Sequence, residues 1–284
     1  MLNMLKFEFR RLTRKPSFYI MLGLCVGVAV FMVFSIRGSM NYMITHMNDL
    51  DSYYNESYVK EYFEKQLSPQ MLALNEFWMV LPTVLAVFVG IFVCEDRARG
   101  TIKNIYARGY SRTSVYLAKF LLSSASAALL YLLVVAFVYL SGMIVFSTAP
   151  FEVQQQKVSG FLLLVLGRLL VILAVNSGYF MISELIGNTG FSIAANMFAP
   201  SIVTGILYVG LNIVLLIIFG EDNSQMYDVM QSISEYWIYS LAVSGFYVEM
   251  KVDTYMGHLM ACLGYFILFS FLGWLISRKQ QVKN

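Results

Sequence analysis

The sequence predicts an all-α, polytopic membrane protein. Three observations carry that reading. Of its 284 residues 58% are hydrophobic and 13% charged, where a soluble domain has about 45–50% and about 25%. The apolar residues gather in long blocks. Six of these blocks, roughly 18–36, 77–94, 117–146, 161–186, 191–219 and 255–276, match the length of about 20 helical residues that a bilayer core about 30 Å thick demands. A typical soluble enzyme is excluded, and no basic segment interleaved with aromatics points to nucleic acid. The chain reads as one transmembrane domain over 1–284.

The segment before Pro16 separates on a helical wheel, with Met1, Leu2, Leu5, Phe9 and Leu12 on one arc and Lys6, Arg10, Arg11, Arg14 and Lys15 on the other. A basic amphipathic helix lies in the membrane plane. Pro16 lacks the amide hydrogen that would continue the ladder, so the chain turns there from lying flat to spanning. The first apolar run, Phe18 to Ile36, has no small-residue cleavage site behind it and reads as an uncleaved span. The outer segment 37–76 follows, with Tyr54, Tyr58 and Tyr62 on one helical face. Such a stripe is expected to rest at lipid headgroups or on the bundle, with a substrate-facing lid as the alternative. Asn55-Glu56-Ser57 matches a glycosylation triplet, a pattern too common by chance to carry weight. The second outer segment, 220–254, is too apolar for a plain loop and too interrupted for a crossing. It reads as a re-entrant or interfacial helix from Met230 to Leu241, with Tyr236 and Trp237 near the headgroups.

Charge sets the expected orientation. Fourteen Lys and Arg lie in the N-terminal segment, the connection after the second span and the C-terminal tail, against five in the opposite loops. The positive-inside rule places both termini and the 95–116 connection in the cytoplasm. Thirteen of the seventeen carboxylates fall on the outer side, which makes that face acidic.

The connection EDRARGTIKNIYARGYSRTSVYLAK, Glu95 to Lys119, is the most informative stretch. Gly100 and Gly109 punctuate it, Thr101 is placed to cap a helix over Ile102 to Arg108, and Ser111 to cap the third span. Ile102, Ile105 and Tyr106 share one face of that helix. The face reads either as packing on another subunit or as turning onto the bundle or lipid. Glu95 and Asp96 sit at a helix C-terminus, where negative charge needs a partner, and Arg97, Arg99 and Arg112 are near in sequence.

Polar groups inside apolar blocks are functional candidates by default: Arg168, Asn176, Glu184, Asn196 and Asn212. Arg168 is close enough to the outer end of its span to snorkel outward, and Glu184 is expected to meet water or a neighbouring Arg. Pro82 and Pro200 are expected to kink their spans. Cys25, Cys94 and Cys262 read as buried apolar residues, and His46 and His258 support no metal site. The HExxH, GxSxG and phosphate-loop patterns are absent.

The flat basic helix, the six-span plan, EDRARGTIKN followed by ARGYSRTSVYLAK, and the apolar outer segment before the last span together resemble the permease subunits of type 2 ATP-binding-cassette (ABC-2) transporters. The resemblance covers nearly the whole chain and is specific in the 95–119 connection. It implies an elbow helix at 1–15 and a coupling helix at 101–108 that docks on an ATPase subunit. Ile102, Ile105 and Tyr106 would be its contacts, with Lys103, Asn104 and Arg108 as polar supports. Glu95 and Asp96 would brace the base of span two. It also implies a substrate path around spans two and five, with Phe77, Trp78, Asn196 and Thr204 as lining candidates. The working unit would be two permeases, identical or different, with two cytoplasmic ATPase subunits that bind ATP and Mg; this chain would bind no cofactor, perform no catalysis and sit among lipids of a bacterial plasma membrane. Peptides, antibiotics and amphiphilic lipids are the expected exported cargo. The alternatives are a secondary carrier, for which Glu184 is the single buried acid and no repeat is evident, and a sensor or immunity protein that binds an extracellular peptide through its outer segments.

Overall fold

The computed structural model describes residues 2–45, 69–146, 158–219, 223–238, 241 and 252–279. All regular structure among them is helical: α1 (Leu2–Thr13), α2 (Pro16–Thr45), α3 (Pro69–Ala98), α4 (Thr101–Ala107), α5 (Arg112–Phe146), α6 (Val158–Ile186), α7 (Thr189–Phe219), α8 (Asn223–Glu235) and α9 (Val252–Lys279). The Tyr54, Tyr58 and Tyr62 stripe, the Asn55 triplet and His46 lie outside the described residues, as do the side chains of Phe77 and Trp78.

Among the described residues five helices are long and apolar enough to cross a membrane: α2, α5, α6, α7 and α9. The sequence led us to expect six. The remaining helix, α3, is equally long, at 30 residues, but its described side chains run from Val80 directly into the charged Glu95-Asp96-Arg97 triplet. The helices outrun the apolar blocks at several ends, because backbone hydrogen bonding continues past the last apolar residue.

The core forms around α3, which packs against α2, α5, α6 and α7. Leu81, Leu85, Val89, Phe92 and Val93 are its buried contribution, meeting Cys25, Ala29 and Val33 of α2 and Tyr131, Val134 and Phe180 of α5 and α6. Gly90 permits a close approach of α3 and α7: a Cβ there would stand 2.8 Å from Cγ1 and 3.1 Å from the backbone nitrogen of Ile193 on α7. Buried amides tie the helices laterally. Ser123 donates to Asn176 Oδ1 at 2.9 Å, and Asn196 Nδ2 donates to the Ala86 carbonyl and to Ser183 Oγ at 3.2 and 3.0 Å. Such bonds satisfy groups that would otherwise be costly in an apolar interior.

Three local expectations are revised. Arg168 does not snorkel; it is 5% exposed, enclosed between α5 and α6 beside Tyr131. The outer helix α8 begins and ends earlier than Met230 to Leu241, and the residues after it fold onto the bundle: Trp237 Nε1 donates to Thr204 Oγ1 at 2.7 Å and Tyr236 stacks edge-on against His258. Thr101 does not cap α4. Gly100, with φ 68°, occupies the cap position, and the Thr101 hydroxyl donates to Asp96 Oδ1 at 2.9 Å instead.

Candidate functional site: a charged junction at the base of α3

Six elements meet where α3 ends. The chain leaves Pro16 at the first position of α2, where the missing amide hydrogen costs nothing, and α1 folds back against α5. One face of α1, Met4, Glu8 and Leu12, is buried. Leu2 and Phe9 are exposed, at 65% and 54%, so the apolar arc read from the wheel is divided between protein and surroundings.

The triplet on α3 ties that helix to α1, α5 and α6. Glu95 pairs with Lys15, with Arg11 at 3.5 Å and with Arg99 at 2.9 Å. Asp96, 1% exposed, pairs with Arg11 of α1, with Lys119 of α5 at 2.5 Å, and accepts from Thr101 at the start of α4. Arg97 pairs with the Glu184 carboxylate and donates to the Glu184 carbonyl at 2.8 Å, which fastens α3 to the end of α6. Gly187, with φ 68°, ends α6, and a Cβ there would lie 3.2 Å from Arg97 Nη1.

Glu95 and Asp96 are both paired, as negative charge at a helix C-terminus requires, but the partners are mostly distant in sequence. Arg99 is the one neighbour that pairs as anticipated; Arg97 turns to Glu184, and Arg112 donates to the Arg278 carbonyl at 3.1 Å. Burial alone would raise the Asp96 carboxyl, but Lys119 and Arg11 outweigh it and hold it well below the ordinary carboxylate range. Glu8 goes the other way: burial pushes its carboxyl up, and neither oxygen receives a hydrogen bond, although Arg11 lies 3.5 Å away. Burial brings the Lys15 ammonium down to about 8.

Helix α4 completes the junction. Ile105, 7% exposed, packs with Met4, Val115 and Ala118, and Tyr106 and Tyr110 close over them. Of Ile102, Ile105 and Tyr106, the implied contact residues, Ile105 thus faces the bundle, and the other two are half-buried. Burying Ile105 against α1 and α5 is the more favourable use of an apolar side chain, and Ile102 and Tyr106 line a polar cleft of about 10 Å³ with Arg97, Arg112, Glu184 and Ser277, room for about one water. Lys103, Asn104 and Arg108 face outward, exposed. Ser111 does cap α5, accepting from the Ser114 amide at 3.2 Å.

The lining candidates on α7 are placed apart from the junction. Asn196 is fully buried and bonded to α3 and α6, and Thr204 is half-buried and held by Trp237 and the Pro200 carbonyl. Both polar side chains therefore serve helix packing within this chain. Glu8, Arg11, Lys15 and Lys119 are the junction residues that sequence reasoning missed. Spacing held one signal: Met4, Glu8 and Leu12 recur at i, i+4 and i+8, so the acid shares a face with apolar residues.

A helical bundle with several helices long and apolar enough to cross a membrane is the architecture of a multi-pass membrane protein. The profile described as ABC-2 family transporter protein matches residues 4–212, and the chain belongs to that family. A comparison with curated proteins returns no match. The match includes α1 from Met4 onward, the triplet and α4, together with Lys119 and Glu184.

Proposed function

We propose that this chain is the permease subunit of an ATP-driven exporter in a bacterial plasma membrane, paired with a second permease and two cytoplasmic ATPase subunits. In this reading α3 is a sixth crossing, both termini are cytoplasmic, α1 is the elbow helix and α4 the coupling helix. Peptides, antibiotics or amphiphilic lipids are the cargo. The observation that supports the reading is the mounting of α4. A seven-residue helix is attached at its start to Asp96 and along its inner face to α1 and α5, while Lys103, Asn104 and Arg108 face away from the bundle. A force on that outer face would pass through Asp96 to α3 and through Lys119 to α5, a rigid-body route of the kind that interface rotation uses. ATP and Mg belong to the partner subunits, and this chain supplies no catalytic group.

The test is purification of the tagged chain from its native membrane, with mass spectrometry of what accompanies it. A stoichiometric ATPase is expected, and the Lys103→Glu, Arg108→Glu double variant should lose it while still inserting in the membrane. Loss-free extraction of the chain alone, or an ATPase indifferent to the double variant, would overturn the coupling assignment.

A further inference from the structure

A second concave region lies between α1, α2 and α3, away from α4. It is an apolar groove of about 350 Å³, within the range of small-ligand sites. Its walls are Phe18, Met21 and Leu24 on α2 and Val84, Val87 and Phe92 on α3, and among the described residues Lys15 is the charged one that lines it. Helix α2 runs away from Lys15 while α3 runs towards Glu95, so the charge stands at one end. Thr83 to Phe92 is nine helical steps, about 14 Å of helix.

We propose that this groove binds one anionic glycerophospholipid, with an acyl chain along α2 and α3 and its phosphate at Lys15. Three features favour this occupant. Lys15 is both in the groove and at the edge of the first apolar block, where headgroups meet hydrocarbon. Its ammonium has three donors, so it keeps Glu95 and still offers a bond to a phosphate oxygen. The junction around it carries positive surplus, with Arg11, Lys15, Arg99 and Lys119 facing Glu8, Glu95 and Asp96, and exposed Arg10 and Arg14 lie beside it. Anionic headgroups are attracted to such a cluster, whereas zwitterionic ones gain little. The inference rests on membrane residence alone and is independent of the ATPase partner.

The full chain in nanodiscs of phosphatidylcholine with a minority of phosphatidylglycerol, the latter bearing a photoactivatable acyl chain, tests it. Crosslinks mapped by mass spectrometry should concentrate on Leu24, Thr83 and Val87, about fivefold above those on the exposed α7 residues Ile206 and Ile217, the preference expected from one headgroup contact. A phosphatidylcholine probe should show no such excess. Val87→Trp fills the groove and should remove the excess, and Thr83→Trp does so from the groove mouth if the first variant fails to fold. Equal labelling of groove and α7, an excess indifferent to headgroup charge, or a peptide recovered from the groove in place of lipid overturns the proposal.

Discussion

Asp96 and Lys119 stand 2.5 Å apart, both almost wholly buried, on helices whose sequence positions differ by more than twenty. Between them they join the base of α3 to the start of α5, and Arg11 brings α1 to the same carboxylate. Removing one partner of a buried pair leaves an uncompensated charge. Asp96→Asn should therefore destabilise the chain by about 3–5 kcal/mol, seen as lost expression and a lower midpoint of thermal unfolding in detergent. The double variant Asp96→Leu, Lys119→Met should recover much of the loss; a double variant as unstable as the single would contradict the pairing.

Glu8 offers the opposite sign. Its carboxyl is pushed up from the ordinary value of 4.5, chiefly by burial, so the folded chain holds the proton more tightly than the unfolded one. The associated stability is complete below 4.5 and is lost as pH rises through the raised folded value. Glu8→Gln removes the ionisation and should raise the unfolding midpoint at pH 7 by about 2–4 °C, with the gain shrinking towards pH 4.5. A gain constant across that range would show that ionisation is not its source.

Lys15 titrates early for a lysine. With its ammonium brought down to about 8 from an ordinary 10.5, reductive methylation should modify Lys15 with a midpoint near 8. The folded state binds this proton less tightly than the unfolded state, so this group makes stability rise with pH from about 8 towards 10.5. Glu95→Gln removes the nearest carboxylate and should move the midpoint lower still. A midpoint near 10.5 would mean that Lys15 stays solvated.

At the far end of the bundle, Trp237 gives a spectroscopic handle. Thr204→Val removes the acceptor of its 2.7 Å bond at a cost of about 1 kcal/mol, and the indole emission of Trp237 should change in a variant whose other tryptophans are replaced by Phe. Unaltered emission would place the indole elsewhere.

Much of the helical plan was legible because apolar block length and cap chemistry are local. Ser111 three residues before Ser114, or Pro16 at the head of α2, can be read without tertiary information. What escaped was the choice among partners. Asp96 had three arginines close in sequence, yet it took Arg11 and Lys119, because the packing of α1 and α5 brings those side chains into a buried site where charge must be matched. Ile105 posed the same difficulty. Periodicity identifies an apolar face but not what covers it, and the structure turns that face inward. Glu8 was hidden among five cations of the same segment, and its place on the face of Met4 and Leu12 gains meaning only once that face is seen to be buried.

The sequence separation within the junction orders events during synthesis. Arg11 and Lys15 leave the ribosome some eighty residues before Glu95 and Asp96, and Lys119 follows them; Arg97 waits for Glu184, 87 residues further along the chain. At about 5–20 residues per second that last interval is about 4–17 s. The tie of α3 to α1 is available from its start and the tie to α5 once Lys119 is made, 22 residues after Arg97, while the tie to α6 does not yet exist. The first three helices and α5 can thus assemble as a unit before α6 arrives, and Arg97 is the clasp that closes last.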